Sequence, residues 1–179
     1  DLRADRQPEF TQIDLEMSFV DVDDIINMQE GFLKKLFKEI MNVEINLPLL
    51  RLPYDEAIER YGSDKPDTRF GFELKDLASA INGTEFKLFN DAISSNGAVK
   101  GICIENASDK FSRKDIDKLT ESTKHFGAKG IIWIRMTDGE ITSSVSKFFD
   151  QAQLKKIADV FNAKQNDLIL IVADKKKIV

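Results

Sequence analysis

From Glu9 to Val20 the chain alternates in character. Phe10, Gln12, Asp14, Glu16 and Ser18 fall on one side of an extended strand, and Thr11, Ile13, Leu15, Met17 and Phe19 on the other. A period of two marks a strand with unlike faces. The second side is a normal core face, and the first is polar along most of its length. The period then changes. Asp21-Val22-Asp23-Asp24 brings carboxylates to a helix N-terminus, where they cap free N–H groups and suit the dipole. Ile25, Ile26, Phe32, Leu33, Leu36, Phe37 and Ile40 recur at helical spacing, which predicts a helix from about Asp23 to Met41 with those residues buried. A strand is expected over Glu44–Leu52, then a short helix opened by Pro53 and ended by Gly62. The turn-rich run Ser63-Asp64-Lys65-Pro66-Asp67 reads as a boundary, dividing the chain into residues 1–68 and 69–179.

Beyond Arg69, strands are expected at Glu85–Phe89 and Ala98–Glu105. A helix over Ser112–Phe126 takes Ser112 as N-cap, Asp115 at the capping-box position and Gly127 as C-cap. Gly130–Met136 and Glu140–Ser146 read as strands joined by the turn Thr137-Asp138-Gly139. Ala152–Phe161 reads as a helix and Asp167–Ala173 as a strand whose run Leu168-Ile169-Leu170-Ile171-Val172 predicts burial on both faces. Strands and helices in this alternation predict an α+β sandwich, a sheet with helices on one side.

Composition adds exclusions. A net charge of −5 and a pI near 5.1 do not suit a chain that coats nucleic acid by bulk charge, so any RNA contact must be local. A single cysteine, Cys103, excludes an intrachain disulfide, and with only His125 beside it no zinc site of ordinary spacing exists. Cys103 and Trp133 lie in apolar runs and read as core; His125 reads as a helix-end residue favoured by the dipole. Asp21, Asp23 and Asp24 read as caps rather than a metal cluster. Lys175-Lys176-Lys177 reads as a solvated helix start. No run approaches the ~20 apolar residues that span a bilayer. The polar opening Asp1–Arg6 is unlike a signal peptide, and the missing initiator methionine leads us to expect an internal piece of a longer protein.

Residues 1–20 carry the candidate chemistry. A charged turn, Arg3-Ala4-Asp5-Arg6-Gln7-Pro8, leads into the strand bearing Phe10, Gln12, Asp14 and Glu16. By pattern alone that face is either a wetted surface or a substrate-facing one. The residue types suit the second: an aromatic to stack on a flat base, an amide that donates and accepts, and a carboxylate to hold an ammonium group. On the residues alone, Arg3 and Arg6 read as surface arginines paired with Asp1 and Asp5.

The run Asp1-Leu2-Arg3-Ala4-Asp5-Arg6-Gln7-Pro8-Glu9-Phe10-Thr11-Gln12-Ile13-Asp14 closely resembles the loop and second strand of motif 2 in bacterial aspartyl-tRNA synthetases. Arg60-Tyr61-Gly62-Ser63-Asp64-Lys65-Pro66-Asp67 resembles a second signature of that family. Residues after Arg69 resemble the GAD domain inserted in the bacterial enzymes, a module shared with a subunit of a tRNA-dependent amidotransferase. The three matches, in the family's order, account for the whole chain.

The resemblance implies a fragment of a class II antiparallel-sheet core followed by a GAD-type α/β sandwich. It implies an aspartate–tRNA ligase that uses ATP and Mg2+ to activate L-aspartate and passes the aspartyl group to tRNA, in the cytoplasm and as a homodimer through an upstream motif. By it, Gln7 and Phe10 bind ATP, Phe10 stacking on adenine. Gln12 and Asp14 line the aspartate pocket, Asp14 attracting the ammonium, and Arg3 and Arg6 approach the acceptor end of tRNA. The family's phosphate-gripping arginines do not fall within this stretch. The expectation is therefore that this chain forms no adenylate by itself and carries no bound cofactor. The competing expectation is a freestanding GAD-like module for interaction or tRNA docking.

Overall fold

Three apolar runs in the second half of the chain build the sheet. Ala98–Ile104 (β2), Ile132–Thr137 (β3) and Leu168–Asp174 (β5) are its central strands, with Lys75–Asp76 (β1) and Glu140–Ser143 (β4) at the edges. The order is β1-β2-β5-β3-β4, and every neighbouring pair is antiparallel. The structure, a computed structural model, describes residues 7–137 and 139–179. Asp138, in the expected turn between β3 and β4, lies outside the described residues. Two compact units make up the chain, Asp1–Arg51 and Leu52–Val179.

Within the second unit, register fixes which side chains share a face. Cys103 pairs with Ile169, Gly101 with Ile171 and Val99 with Ala173, while Ile132 and Ile134 pair with Ile171 and Ile169. These residues pack against Phe89 of α3 (Lys87–Ser94) and against Leu154 and Ile157 of α5 (Gln151–Val160), forming the main core. The alternate residues of the same strands face the other way. Leu168, fully buried, meets Ile116 of α4 (Arg113–Lys124) and Ala107, with Ile104 and Trp133 beside them. Helices therefore cover both faces, which corrects the expectation of helices on one side. An amphipathic repeat shows that a helix has a buried face but not which side of a sheet receives it.

The helix α4 forms with its expected capping box, the Ser112 hydroxyl accepting from the Asp115 N–H and the Asp115 carboxylate from the Ser112 N–H at 3.0 Å, but its C-cap is His125 rather than Gly127. The Leu168–Val172 run is predicted to be buried on both faces and is so only in part: Leu168, Ile169 and Ile171 are fully buried, while Leu170 and Val172, on the α4 face, are half-buried. The strand expected at Glu85–Phe89 is instead the start of α3. Phe86, Phe89 and Ala92 repeat every third residue, and a five-residue apolar alternation fits either periodicity. Lys175–Lys177 forms a turn rather than a helix start. Among the described residues, no helix is long and apolar enough to cross a membrane.

In the first unit, α1 spans Val22–Met41. The Asp21 carboxylate accepts from the N–H groups of Asp23 and Asp24, and the Asp24 carboxylate accepts from the Asp21 N–H. Asn42, left-handed at φ 53°, ends it. Residues 43–51 return along the helix. Lys38 pairs with Glu44 at 2.7 Å, the Leu49 N–H donates to Glu30 at 3.0 Å, and Arg51 reaches Asp23 at 2.6 Å. The expected helix face is only partly covered: Ile25, Ile26, Leu33, Leu36 and Phe37 are half-buried, and Phe32 and Ile40 are exposed. The strands expected at Glu9–Val20 and Glu44–Leu52 do not form, since neither segment has a ladder partner among the described residues. Alternation marks a segment able to be a strand, but the hydrogen bonds must come from a neighbour.

Candidate functional site

Gln7, Phe10, Gln12 and Asp14 all lie on the extended segment before α1, and all are exposed. Phe10 is 72% accessible, and none of the four has a hydrogen bond or ion pair with another described residue. On the other side of the segment Ile13 and Phe19, expected in a core, are 72% and 108% accessible. Between Gln7 and Val20 there is no lysine or arginine. This stretch can offer a ring to stack on, amides and carboxylates, and it holds no cation for a phosphate. Arg3 and Arg6 lie outside the described residues.

The second signature is a built structure inside the second unit. The helix α2 (Tyr54–Tyr61) opens after Pro53 and ends at Gly62, left-handed at φ 66°, as its sequence predicts. Arg60 at its last turn gathers three partners. Its Nη1 donates to Glu56 at 2.5 Å, its Nη2 to Glu73 at 2.7 Å and to the Tyr61 hydroxyl at 3.2 Å. The backbone follows, with the Leu74 N–H donating to the Arg60 carbonyl at 2.7 Å. The Arg60 guanidinium holds the Glu73 carboxyl below the usual carboxylate range, and the two carboxylates in turn raise the basicity of Arg60, Glu73 more than Glu56. From α2, Lys100 of β2 is bound by the Glu59 carboxylate at 2.8 Å and its carbonyl at 3.2 Å. Arg60, the first residue of the signature, and Glu59 just before it thus fix α2 to the β1–β2 edge of the sheet.

Asp67 fixes a turn at the end of the turn-rich run. Its carboxylate accepts from the Arg69 N–H at 3.0 Å and pairs with the Arg69 guanidinium, which pulls its pKa down to about 2. Ser63 closes the previous turn by accepting the Lys65 N–H at 3.1 Å. With Arg60 and Asp67 engaged, the side chains of Asp64 and Lys65 are the charged groups of the signature that remain exposed and without a partner among the described residues. The sequence alone did not separate these two from their neighbours, because engagement depends on Glu73 and Arg69, outside the signature.

Among the described residues, no group of three or more His, Cys, Asp or Glu side chains is arranged to hold a metal ion. At the start of α1 the carboxylates of Asp21 and Asp24 act as caps, as expected, whereas that of Asp23 pairs with Arg51 instead, and these residues do not fit a Mg2+ site by themselves.

Comparison with known proteins places these segments in context. Residues 89–179 match the family model described as GAD domain. The whole chain is 50% identical over 179 residues to an aspartate–tRNA ligase of Macrococcus caseolyticus. It is 48% identical to an aspartate–tRNA(Asp/Asn) ligase of Caldanaerobacter subterraneus subsp. tengcongensis, again over its full length. An aspartate–tRNA(Asp/Asn) ligase of Persephonella marina is 49% identical across 99% of the chain. The chain spans about 30% of the length of these curated relatives.

Proposed function

This chain belongs to the GAD domain family, and from that premise we propose that it is a segment of an aspartate–tRNA ligase, in which residues 1–68 contribute to the catalytic core and residues 69–179 form an inserted domain. One observation carries the reading: the match to such ligases, 48–50% identical over the whole chain, takes in residues 1–88, which the GAD match does not cover. A freestanding docking module has no use for that stretch. The division at residue 68 is one of ancestry, while α2 and the signature pack within the second compact unit.

In the proposed reaction the α-carboxylate of L-aspartate attacks the α-phosphate of ATP and pyrophosphate leaves. A hydroxyl of the terminal adenosine of tRNA then attacks the aspartyl carbonyl, and AMP leaves as the aspartyl ester forms. Phe10 stacks on adenine and Gln7 contacts ATP. Gln12 and Asp14 bind the amino acid, Asp14 holding its ammonium through a charge-assisted hydrogen bond. Arg3 and Arg6 meet the acceptor end of tRNA. The exposure of Phe10 and Asp14 supports these roles. The exposed apolar side formed by Ile13, Leu15, Met17 and Phe19 supports pairing of this segment into a larger sheet supplied by the rest of the enzyme. Because Gln7–Val20 holds no cation, the phosphates are neutralised by groups elsewhere in the parent protein. ATP and Mg2+ thus belong to the whole enzyme, which we place in the cytoplasm as a homodimer.

The test is a segment exchange. This chain replaces the matched segment of the Macrococcus caseolyticus ligase, and aspartate-dependent ATP–pyrophosphate exchange and tRNA charging are measured. Activity of the chimera, with none from the chain alone, is the expected result. A correctly folded chimera without exchange activity would sink the assignment of residues 1–68.

A further inference from the structure

A cavity of about 680 Å3 opens beside the loop that follows the second signature. Three aromatic rings border it. Phe70 and Phe72 lie nearly parallel, with centroids 6.2 Å apart and planes at 19°, and Phe161 at the end of α5 forms a wall. The turn that sets the pair depends on Gly71, left-handed at φ 65° with open space around its Cβ position. Phe70 and Phe72 are 65% and 43% accessible, so neither is consumed by the core. Cys103 and Ile104, at the end of β2, also line it.

The charged groups around the cavity divide into engaged and free. Glu73 is held by Arg60 and lies 3.9 Å from Lys75. Asp167 is buried and accepts from the N–H groups of Asn106 and Lys164. The side-chain amide of Asn162, the ammonium of Lys164 and the carboxylate of Glu105 also border the cavity, all exposed and without a partner among the described residues. An aromatic platform with a free amide, a free cation and a free carboxylate matches a ligand that is flat, has hydrogen-bonding edges, and carries hydroxyls and an anion.

We propose that this cavity binds a nucleotide, with its base against the Phe70–Phe72 platform, its edge read by Asn162, its phosphate at Lys164 and its sugar hydroxyls at Glu105. Stacking on exposed rings tolerates any base and is worth about 1–3 kcal/mol per base by alanine substitution. The volume lies in the range of small-molecule sites, roughly 300–1,000 Å3. The site differs from the one proposed around Phe10. It also reconciles the acidic chain with a nucleic-acid contact, because affinity comes from rings and one placed cation rather than from bulk charge. The same chemistry is offered by a free nucleotide and by an unpaired nucleotide of RNA.

The test uses the full chain, 15N-labelled, titrated with 5′-AMP and, separately, with a short single-stranded oligoadenylate. Saturable amide shifts at residues 70–75, 103–105 and 161–164 are expected, weakened about ten-fold or more in the double variant Phe70→Ala/Phe72→Ala. Both rings are exposed, so the variant should keep the unperturbed spectrum of the core. Lys164→Ala should weaken binding and reduce its salt dependence. Tighter binding of the oligomer than of AMP assigns the site to RNA, and equal or weaker binding assigns it to the free nucleotide. Three results overturn the proposal: no saturable shift at these residues up to millimolar ligand, shifts that survive the double substitution, or equal binding of N-acetylphenylalaninamide, which would make the cavity a general apolar site. Shifts at residues 7–14 report on the ATP site proposed above, so either site can fail without the other.

Discussion

The carboxylate of Asp167 accepts a hydrogen bond from the backbone N–H of Asn106 at 2.9 Å, joining the loop after β2 to the start of β5 across 61 residues of sequence. The same side chain accepts from the Lys164 N–H at 2.8 Å and faces the Cys103 thiol at 3.8 Å, while the Ser108 hydroxyl donates to the Asp167 carbonyl at 2.6 Å. Asp167 is only 4% accessible. Truncation therefore leaves two backbone donors short of an acceptor in a largely dry place, at about 1–3 kcal/mol each. Asp167→Ala should lose about 2–5 kcal/mol of unfolding free energy by urea titration. Asp167→Asn should lose less, because its amide oxygen still accepts one bond. Equal stability of Asp167→Ala and the parent chain would remove Asp167 from this role.

Cys103 follows from the same cluster. Burial pushes its thiol up to about 12, and the neighbouring Asp167 charge adds to the effect. The thiolate is the reactive form, so at pH 8 the native thiol should label orders of magnitude more slowly than a free cysteine. Its labelling rate should rise with denaturant in step with unfolding. Fast labelling in native buffer would show that the thiol is not held in this way.

Gly97 stands where no side chain fits. A Cβ there would come within 2.4 Å of the Asp174 carbonyl oxygen and 2.8 Å of the Ala92 carbonyl oxygen, both backbone atoms. The Gly97 N–H already donates to Ala92 at 2.8 Å, closing the turn between α3 and β2. Gly97→Ala must displace a strand or a helix end, and should destabilise by about 1–3 kcal/mol or more. Gly139→Ala strains a left-handed residue in open space instead, so it should cost only about 1 kcal/mol. Reversal of that order in denaturant titrations would contradict the packing at Gly97.

Local signals were legible and partnerships were not. The cap carboxylates before α1 and the capping box at Ser112 are legible because a cap and its helix lie within four residues of each other. The apolar run at Leu168 is legible as a strand because its composition allows little else, although on one face Leu170 and Val172 stay half-buried. The segment Glu9–Val20 has the alternation of a strand, but a strand exists only with its neighbours, and its alternation says nothing about where they are. The placement of α4 opposite α3 and α5 depends on register across three strands, which no short window contains. In the candidate site, residue types made Phe10 and Asp14 visible. The Phe70–Phe72 platform escaped notice because it arises from one left-handed glycine and from residues about ninety positions further along the chain.

Two of the carboxylates held by arginines, Glu73 and Asp67, predict an acid limb of stability. Arg60 lowers the pKa of Glu73 below its ordinary 4.5, and Arg69 lowers that of Asp67 from 3.8 to about 2. A carboxylate with a depressed folded-state pKa contributes stability above its unfolded pKa and loses it as pH falls through the folded value. The contribution should therefore be whole at pH 6, begin to fade below about 4.5 and be lost for Asp67 near pH 2. Thermal melting of Glu73→Gln and Asp67→Asn should show midpoints below the parent chain at pH 6 that converge with it at low pH. A gap that stays constant down to pH 2 would show that charge is not its origin.

Phe10 and Asp14 should separate the two substrates of the proposed ligase. Both side chains are exposed and without partners among the described residues, so neither substitution removes a contact that the fold uses. In the chimeric enzyme, Asp14→Asn removes the charge that would meet the substrate ammonium but keeps shape and hydrogen bonding. The KM for aspartate should rise about ten- to hundred-fold, with the KM for ATP little changed, as loss of one charge-assisted bond of roughly 1.5–3 kcal/mol implies. Phe10→Ala should do the converse. Loss of a base-stacking ring, worth about 1–3 kcal/mol, should raise the KM for ATP about five-fold or more and leave aspartate nearly unaffected. Pyrophosphate exchange measured with each substrate varied in turn gives both constants. If the two variants raised the same constant, or neither, the face carrying Phe10, Gln12 and Asp14 would be a wetted surface and not half of a pocket.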